Sequence, residues 1–226
     1  DEARPLAADV AVARLGRYRG WAEVLAALQG FEARGASVRQ IGQSRRGEPL
    51  WAVELGPAGA PRASALLGGI HAAEWIGVET MLALLARLVA APPRDRRILA
   101  VPVINPDGYR QVEADLRAGR RRFRRGNAAG VDLNRNWPTH FAGRRRIGLS
   151  GWSFGGPAPA SEPEVAAVIA ALDAAAAAAA PGGIDVAISL HSFGRKLLVP
   201  WGGRWRRPDA AARLTAAAAR VRARLA

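Results

Sequence analysis

The chain has 226 residues, half of them hydrophobic, a formal net charge of +14 and no cysteine. That length suits one sizeable core, no apolar run is long enough to span a bilayer, and without cysteine neither disulfides nor thiolate metal sites are available. Lys196 is the only lysine, so the positive charge is carried by arginine; the densest runs, 120–125 (broken only by Phe123) and 144–146, lack the interleaved aromatics or binding motif of a nucleic-acid surface.

In chain order, Trp21, Val24, Leu25, Leu28 and Phe31 form a helical stripe that stops near Gly30 or Gly35. Strand-like runs follow at 37–41 and 50–55, joined by a polar hairpin connection at 42–47. A loop at 57–61 leads into an apolar strand at 63–67, which runs into Gly68-Gly69-Ile70-His71-Ala72-Ala73-Glu74-Trp75. Ile76, Val78, Met81, Leu82, Leu84, Leu85 and Leu88 then predict a buried helix, ended by Pro92-Pro93. The run 98–104 reads as a strand covered on both faces, although Pro102 within it argues against a central position.

Asn105-Pro106-Asp107-Gly108-Tyr109 reads as a turn in which Gly108 is free to take a positive φ. The polar, arginine-rich stretch 111–130 reads as a long loop. Ser161-Glu162-Pro163-Glu164 has the form of a capping box, with Ser161 as N-cap and Glu164 reaching back. It opens a helix through the alanine tract 174–180, which Pro181-Gly182-Gly183 terminates. A buried strand at 184–190, a short strand at 197–200 and an amphipathic helix from about Pro208 to Ala226 complete the chain. Strands alternating with helices predict an α/β fold: a mixed, mostly buried central sheet flanked by helices.

The chemistry gathers at two strand ends. His71 and His191 each follow a buried strand, and ligands in open α/β sheets collect beside the carboxyl ends of strands. Glu74 lies three positions after His71, a spacing that lets both turn toward one borderline metal such as zinc. The third histidine, His140, has no such setting and reads as surface or packing.

Several further motifs stand between and around these residues: Asn105 to Tyr109; Arg125 and Asn127 as Arg-x-Asn; Asp132-Leu133-Asn134-Arg135-Asn136; the Ser161 to Glu164 helix start; and Ser189-Leu190-His191-Ser192. Together with His-x-x-Glu, and in this order, they resemble the zinc carboxypeptidases of the carboxypeptidase A/B type, over essentially the whole chain from Tyr18. The resemblance implies a single catalytic domain over 1–226 in which His71, Glu74 and His191 hold one zinc ion and leave a fourth position for water. It implies Arg125, with Arg124 as the alternative, as the stabiliser of the oxyanion. Asn134 and Arg135 would bind the free C-terminal carboxylate of a peptide or protein substrate, which makes the activity that of an exopeptidase. It further implies a secreted or periplasmic monomer with no membrane or specific nucleic-acid partner.

The chain departs from the family downstream of the second zinc histidine, where the family places a substrate-binding tyrosine and the residue at the base of the specificity pocket. The family's general-base glutamate lies well downstream of the second zinc histidine, and here no glutamate follows Glu164. The expectation is therefore a domain incomplete at its C-terminus, weak or inactive by itself. A non-catalytic zinc- or peptide-binding module is the alternative, and an arginine-driven polyanion binder a third.

Overall fold

The computed structural model describes residues 18–141, 154–179, 183–194, 196–201 and 207–224. The arginine run 144–146, the helix terminators Pro181 and Gly182, and the end of the last helix at Ala226 lie outside the described residues. The elements are α1 (Trp21–Glu32), β1 (Ser37–Gln43), β2 (Pro49–Leu55), β3 (Arg62–Leu67), α2 (Trp75–Ala90), β4 (Arg96–Val101), α3 (Pro106–Arg117), a 3-10 turn (Leu133–Arg135), α4 (Pro163–Ala177), β5 (Ile184–Ser189) and α5 (Ala211–Ala223).

The sheet has the order β1-β2-β4-β3-β5. β1 and β2 form an antiparallel hairpin, and β2 pairs antiparallel with β4. β4, β3 and β5 run parallel, with Leu67 opposite both Val101 and Ser189. Alternation along the inner strands sends side chains to two cores, as expected of strands covered on both faces. Ile98 and Ala100 of β4, Val53 and Leu55 of β2 and Leu66 of β3 pack with Val24 and Leu28 of α1, Val78, Met81 and Leu85 of α2, and Tyr109 of α3. Leu99, Val101, Leu50, Ala52 and Leu67 pack with Val165, Val168 and Ala171 of α4 on the other face.

Several expectations are corrected. Asn105–Tyr109 does not form a free turn. Asn105 is the N-cap of α3, its Oδ1 accepting the Gly108 N–H at 2.9 Å with Pro106 in the first turn, and Gly108 takes no positive φ. The predicted loop from 111 is thus helical as far as Arg117. Ser161 is not the cap of α4: Glu162 holds that position without a side-chain cap bond, and Glu164 is fully buried elsewhere. Among the described residues β5 is an edge strand, as β1 is on the opposite side, and it is exposed from Asp185 to Ser189 rather than buried. No strand forms at 197–200. β4 does sit centrally, because it ends at Val101 and leaves Pro102 outside the ladder.

The chain divides into two compact units, one up to Ser192 and one from Phe193 on. The first contains every strand among the described residues and both histidines at strand ends. The element of the second is α5, none of whose described residues is buried.

Candidate metal centre and substrate site

β3 and β5 are parallel neighbours in register at their ends, and the Leu190 N–H extends the pairing to the Leu67 carbonyl at 2.8 Å. The segments leaving the two strands therefore emerge side by side. Gly68 and Gly69 continue against the segment after β4, with Ile104 N–H on the Gly68 carbonyl and Asn105 N–H on that of Gly69. Gly69 has φ +57°, and a Cβ there would stand 3.0 Å from both Val103 Cα and Val78 Cγ2. Only glycine fits that turn, which delivers His71.

Glu74 is the N-cap residue of α2 but makes no side-chain cap bond, so its carboxylate turns inward. Glu74 Oε1 is 2.8 Å from His71 Nδ1, and Oε2 is 3.0 Å from His191 Nδ1. The two Nδ1 atoms are 3.2 Å apart, and ligand atoms of all three residues lie within 4.8 Å of one another. Two imidazole nitrogens and a carboxylate at that mutual spacing form a zinc-type donor set. His71 and Glu74 are buried while the His191 side chain is 34% exposed, so the site opens on the His191 side.

The surrounding groups orient these ligands. Asp132 Oδ1 stands 3.1 Å from His71 Nε2, leaving Nδ1 to face the centre, and Ser189 Oγ stands 3.2 Å from His191 Nε2. The Ser192 N–H donates to Glu74 Oε2 at 3.0 Å. Burial pushes the Glu74 carboxyl up, but hydrogen bonds to His191, His71 and the Ser192 N–H outweigh it and hold the group well below the usual carboxylate range. Burial lowers His71 while the carboxylates of Asp132 and Glu74 raise it, and the net direction is upward. Burial likewise opposes ionisation of Asp132, yet His71 and Arg125 keep its pKa low.

The two adjacent arginines part company. Arg125 Nε donates to Asp132 Oδ2 at 2.8 Å and its Nη1 stands 3.6 Å from Glu74 Oε1. Arg124 Nε donates to Asp115 Oδ2 of α3 at 2.6 Å. Arg125 thus stands at the metal centre and Arg124 on the flank of a helix. The loop of Arg125 is tied down by the Ala72 N–H on the Arg125 carbonyl at 3.2 Å and by Asn105 Nδ2 on the Gly126 carbonyl at 3.0 Å.

Asn134 and Arg135 occupy the 3-10 turn that Asp132 caps, with the Asn134 N–H on Asp132 Oδ1 at 3.0 Å. Arg135 is exposed, its guanidinium on the Asn134 carbonyl at 3.1 Å. In the sequence Asp132 stands out only as part of a motif; its contacts with His71, Arg125 and Asn134 make it the residue that joins all three parts of the site. His140 is half-buried with φ 58°.

Comparison with known proteins points the same way. Residues 22–225 match the family model described as zinc carboxypeptidase. The chain is 32% identical over 182 residues to carboxypeptidase B of Astacus astacus, covering 74% of this chain and 57% of that one. It is 30% identical over 182 residues to carboxypeptidase A2 of Mus musculus, covering 75% of this chain and 42% of that one. The chain therefore spans about half the length of these relatives. Among solved structures it is similar to bovine thrombin-activatable fibrinolysis inhibitor in complex with tick carboxypeptidase inhibitor, with TM-score 0.75 and 25% identity over 90% of this chain and 70% of that one. The fold is also that of the carboxypeptidase A from Helicoverpa armigera, with TM-score 0.77 and 22% identity over 97% of this chain and 59% of that one.

Proposed function

The chain belongs to the zinc carboxypeptidase family, and on that premise we propose that it forms the metal- and carboxylate-binding part of a zinc-dependent exopeptidase acting on peptide C-termini. The observation that carries the proposal is the convergence of His71, Glu74 and His191 beside Arg125. Zinc bound there would polarise the scissile carbonyl and lower the pKa of its water.

The chain's own residues would do the rest. Asp132 orients His71, and Ser192 N–H fixes Glu74. Arg125 offers the guanidinium edge not used by Asp132 to the oxygen on which charge develops during attack. Arg135, exposed and carrying a planar fork of donors, would take the C-terminal carboxylate with Asn134 beside it. An internal peptide bond has no such carboxylate, which is the basis of exopeptidase selectivity. By the same proposal residues 1–226 belong to one catalytic domain and one zinc ion is held per chain. The protein would be a secreted or periplasmic monomer; among the described residues no helix is long and apolar enough to cross a membrane.

A binding module without turnover is the second reading, and one observation favours it. Among the described residues the carboxylates at the centre, Glu74 and Asp132, are already committed to histidines and arginine. Without a free carboxylate to take the proton of water, the rate of these 226 residues alone should fall by roughly 10²–10⁴-fold. The test pairs zinc stoichiometry with incubation of a peptide and its C-terminal amide. One zinc per chain, preference for the free acid and slow, chelator-sensitive release of the last residue are expected. Zinc and peptide binding with no release would favour the module, and absence of zinc would refute both.

A further inference from the structure

The Ser-Glu-Pro-Glu start of α4 does not cap its own helix, so its two carboxylates have other work. Glu162 and Glu164 are completely buried and both face one side-chain amide. Asn127 Nδ2 donates to Glu162 Oε2 at 2.7 Å and stands 3.3 and 3.4 Å from the two oxygens of Glu164. Asn127 in turn shapes the loop between Arg125 and Asp132. Its Oδ1 accepts the N–H groups of Ala129 at 3.0 Å and Val131 at 3.1 Å, and its own N–H donates to the Val131 carbonyl at 2.9 Å. On the other side, Asn136 closes the turn that carries Asn134 and Arg135. Its Oδ1 accepts the Glu162 N–H at 3.1 Å, while its Nδ2 donates to Ser161 Oγ at 2.9 Å and to the Gly155 and Ala158 carbonyls at 2.6 and 3.0 Å. The arginine loop and the carboxylate-binding turn therefore hang on the same helix start.

We propose that Glu162 and Glu164 are positioning residues: a buried carboxylate pair that sets, through Asn127 and Asn136, where Arg125 and the Asn134–Arg135 turn stand relative to the metal centre. The roles of those three residues rest on the carboxypeptidase reading; the anchoring itself does not.

The charge balance of the pair makes it sensitive to pH. The cation facing it is Arg45, whose Nε lies 3.5 Å from Glu162 Oε2 and whose backbone N–H donates to Glu164 Oε1 at 3.2 Å. Asp107 of the neighbouring α3 takes Ser44 Oγ and the Arg46 N–H, and so brings no further positive charge. Two buried carboxylates facing one half-exposed guanidinium are relieved by one proton. Glu162 makes the closer contacts, with Arg45, Asn127 and Ser161, and Glu164 is the member of the pair whose carboxyl is raised. Burial pushes the Glu164 carboxyl up, and the Glu162 charge adds to this, against hydrogen bonds from the Arg45 N–H and Asn127.

The test is nitrogen-15 NMR of the full zinc-loaded chain, read at Arg125 Nε–H, alongside binding of a peptide and its C-terminal amide. Asn127→Ala and Glu162→Gln should shift the Arg125 signal and cut the preference for the free acid by about tenfold, as loss of an outer partner does at a built site. Glu164→Gln, which alters the longer of the two contacts to Asn127, should do both to a smaller extent. In the wild type the Arg125 shift should move in one step as Glu164 ionises, above the usual carboxylate range, and Glu164→Gln should lack that step. An unmoved Arg125 signal in folded Asn127→Ala would overturn the anchoring. Equal damage from both glutamine variants would overturn the division of roles. If Glu162→Gln does not fold, Asn127→Ala and the wild-type titration decide. A wild type that shows all the NMR behaviour but no preference for the free acid would leave the anchoring intact and refute the exopeptidase reading.

Discussion

Asp132 carries more of the site than its place in a five-residue motif suggests. One oxygen faces His71 and the Asn134 N–H, and the other takes Arg125. Replacing it by asparagine removes the charge that holds the His71 ring with Nδ1 inward. Asp132→Asn should weaken zinc binding by about 10–100-fold in competition with a chelating dye, while His71→Ala abolishes it. The same pair makes zinc binding depend on pH. His71, raised above its ordinary 6.5, must lose its proton to bind metal. Zinc affinity should therefore be full above the raised value and fall as pH drops through it, by up to about tenfold per unit. In the metal-free protein the linkage runs the other way: the His71 contribution to stability is present below the unfolded pKa and is lost as pH rises through the folded one. His71, Glu74 and His191 could be proposed from the sequence because each follows a strand-like run, and the structure brings the three together. Which of Arg124 and Arg125 stands at the centre was not legible, because it depends on Asp115 and Asp132, partners supplied by other parts of the fold.

At the level of elements, two of the places where the sequence misled share a cause: residues that punctuate loops also begin helices. Asn-Pro-Asp-Gly makes a good turn, but the same asparagine caps α3 and the same proline suits its first turn. Ser161-Glu162-Pro163-Glu164 fits a capping box locally, yet Glu162 rather than Ser161 holds the cap position, without a side-chain cap bond, and its carboxylate takes Asn127 instead. β5 reads as buried because its residues are apolar, but in this sheet it has a strand on one side only, and Val186 and Ile188 are exposed. The junction after β3 is tighter than its composition indicates. Gly69→Ala forces a side chain into the left-handed region against Val103 and Val78. It should cost about 2 kcal/mol or more in denaturant unfolding, with zinc affinity falling as His71 is displaced.

For the whole molecule, the candidate metal centre joins parts that are far apart in sequence. His71 and Glu74 bracket the β3–α2 connection, His191 follows β5, and all three lie within the first compact unit. Zinc binding only the folded arrangement should raise the melting temperature, by an amount equivalent to about 2.7 kcal/mol at a hundredfold excess over Kd. Chelator should reverse the rise, and His71→Ala should not show it; a scanning-calorimetry series with and without zinc measures both. Several of the arginines stand in local pairs, among them Arg39 and Arg97 on Glu54 and Arg120 and Arg124 on Asp115.

The sequence by itself determined the α/β class, the run of helices and strands around the two histidines, and the donor types that suit zinc. These rest on periodicity and on residues a few positions apart, which local chain geometry controls. Only the tertiary structure decided that β5 lies at an edge of the sheet, that Arg125 rather than Arg124 faces Glu74, and that Asp132, Glu162 and Glu164 tie the site together. Each of those depends on charges and strands brought close by folding from distant parts of the chain, where electrostatic partners and burial are set by neighbours that no local pattern records.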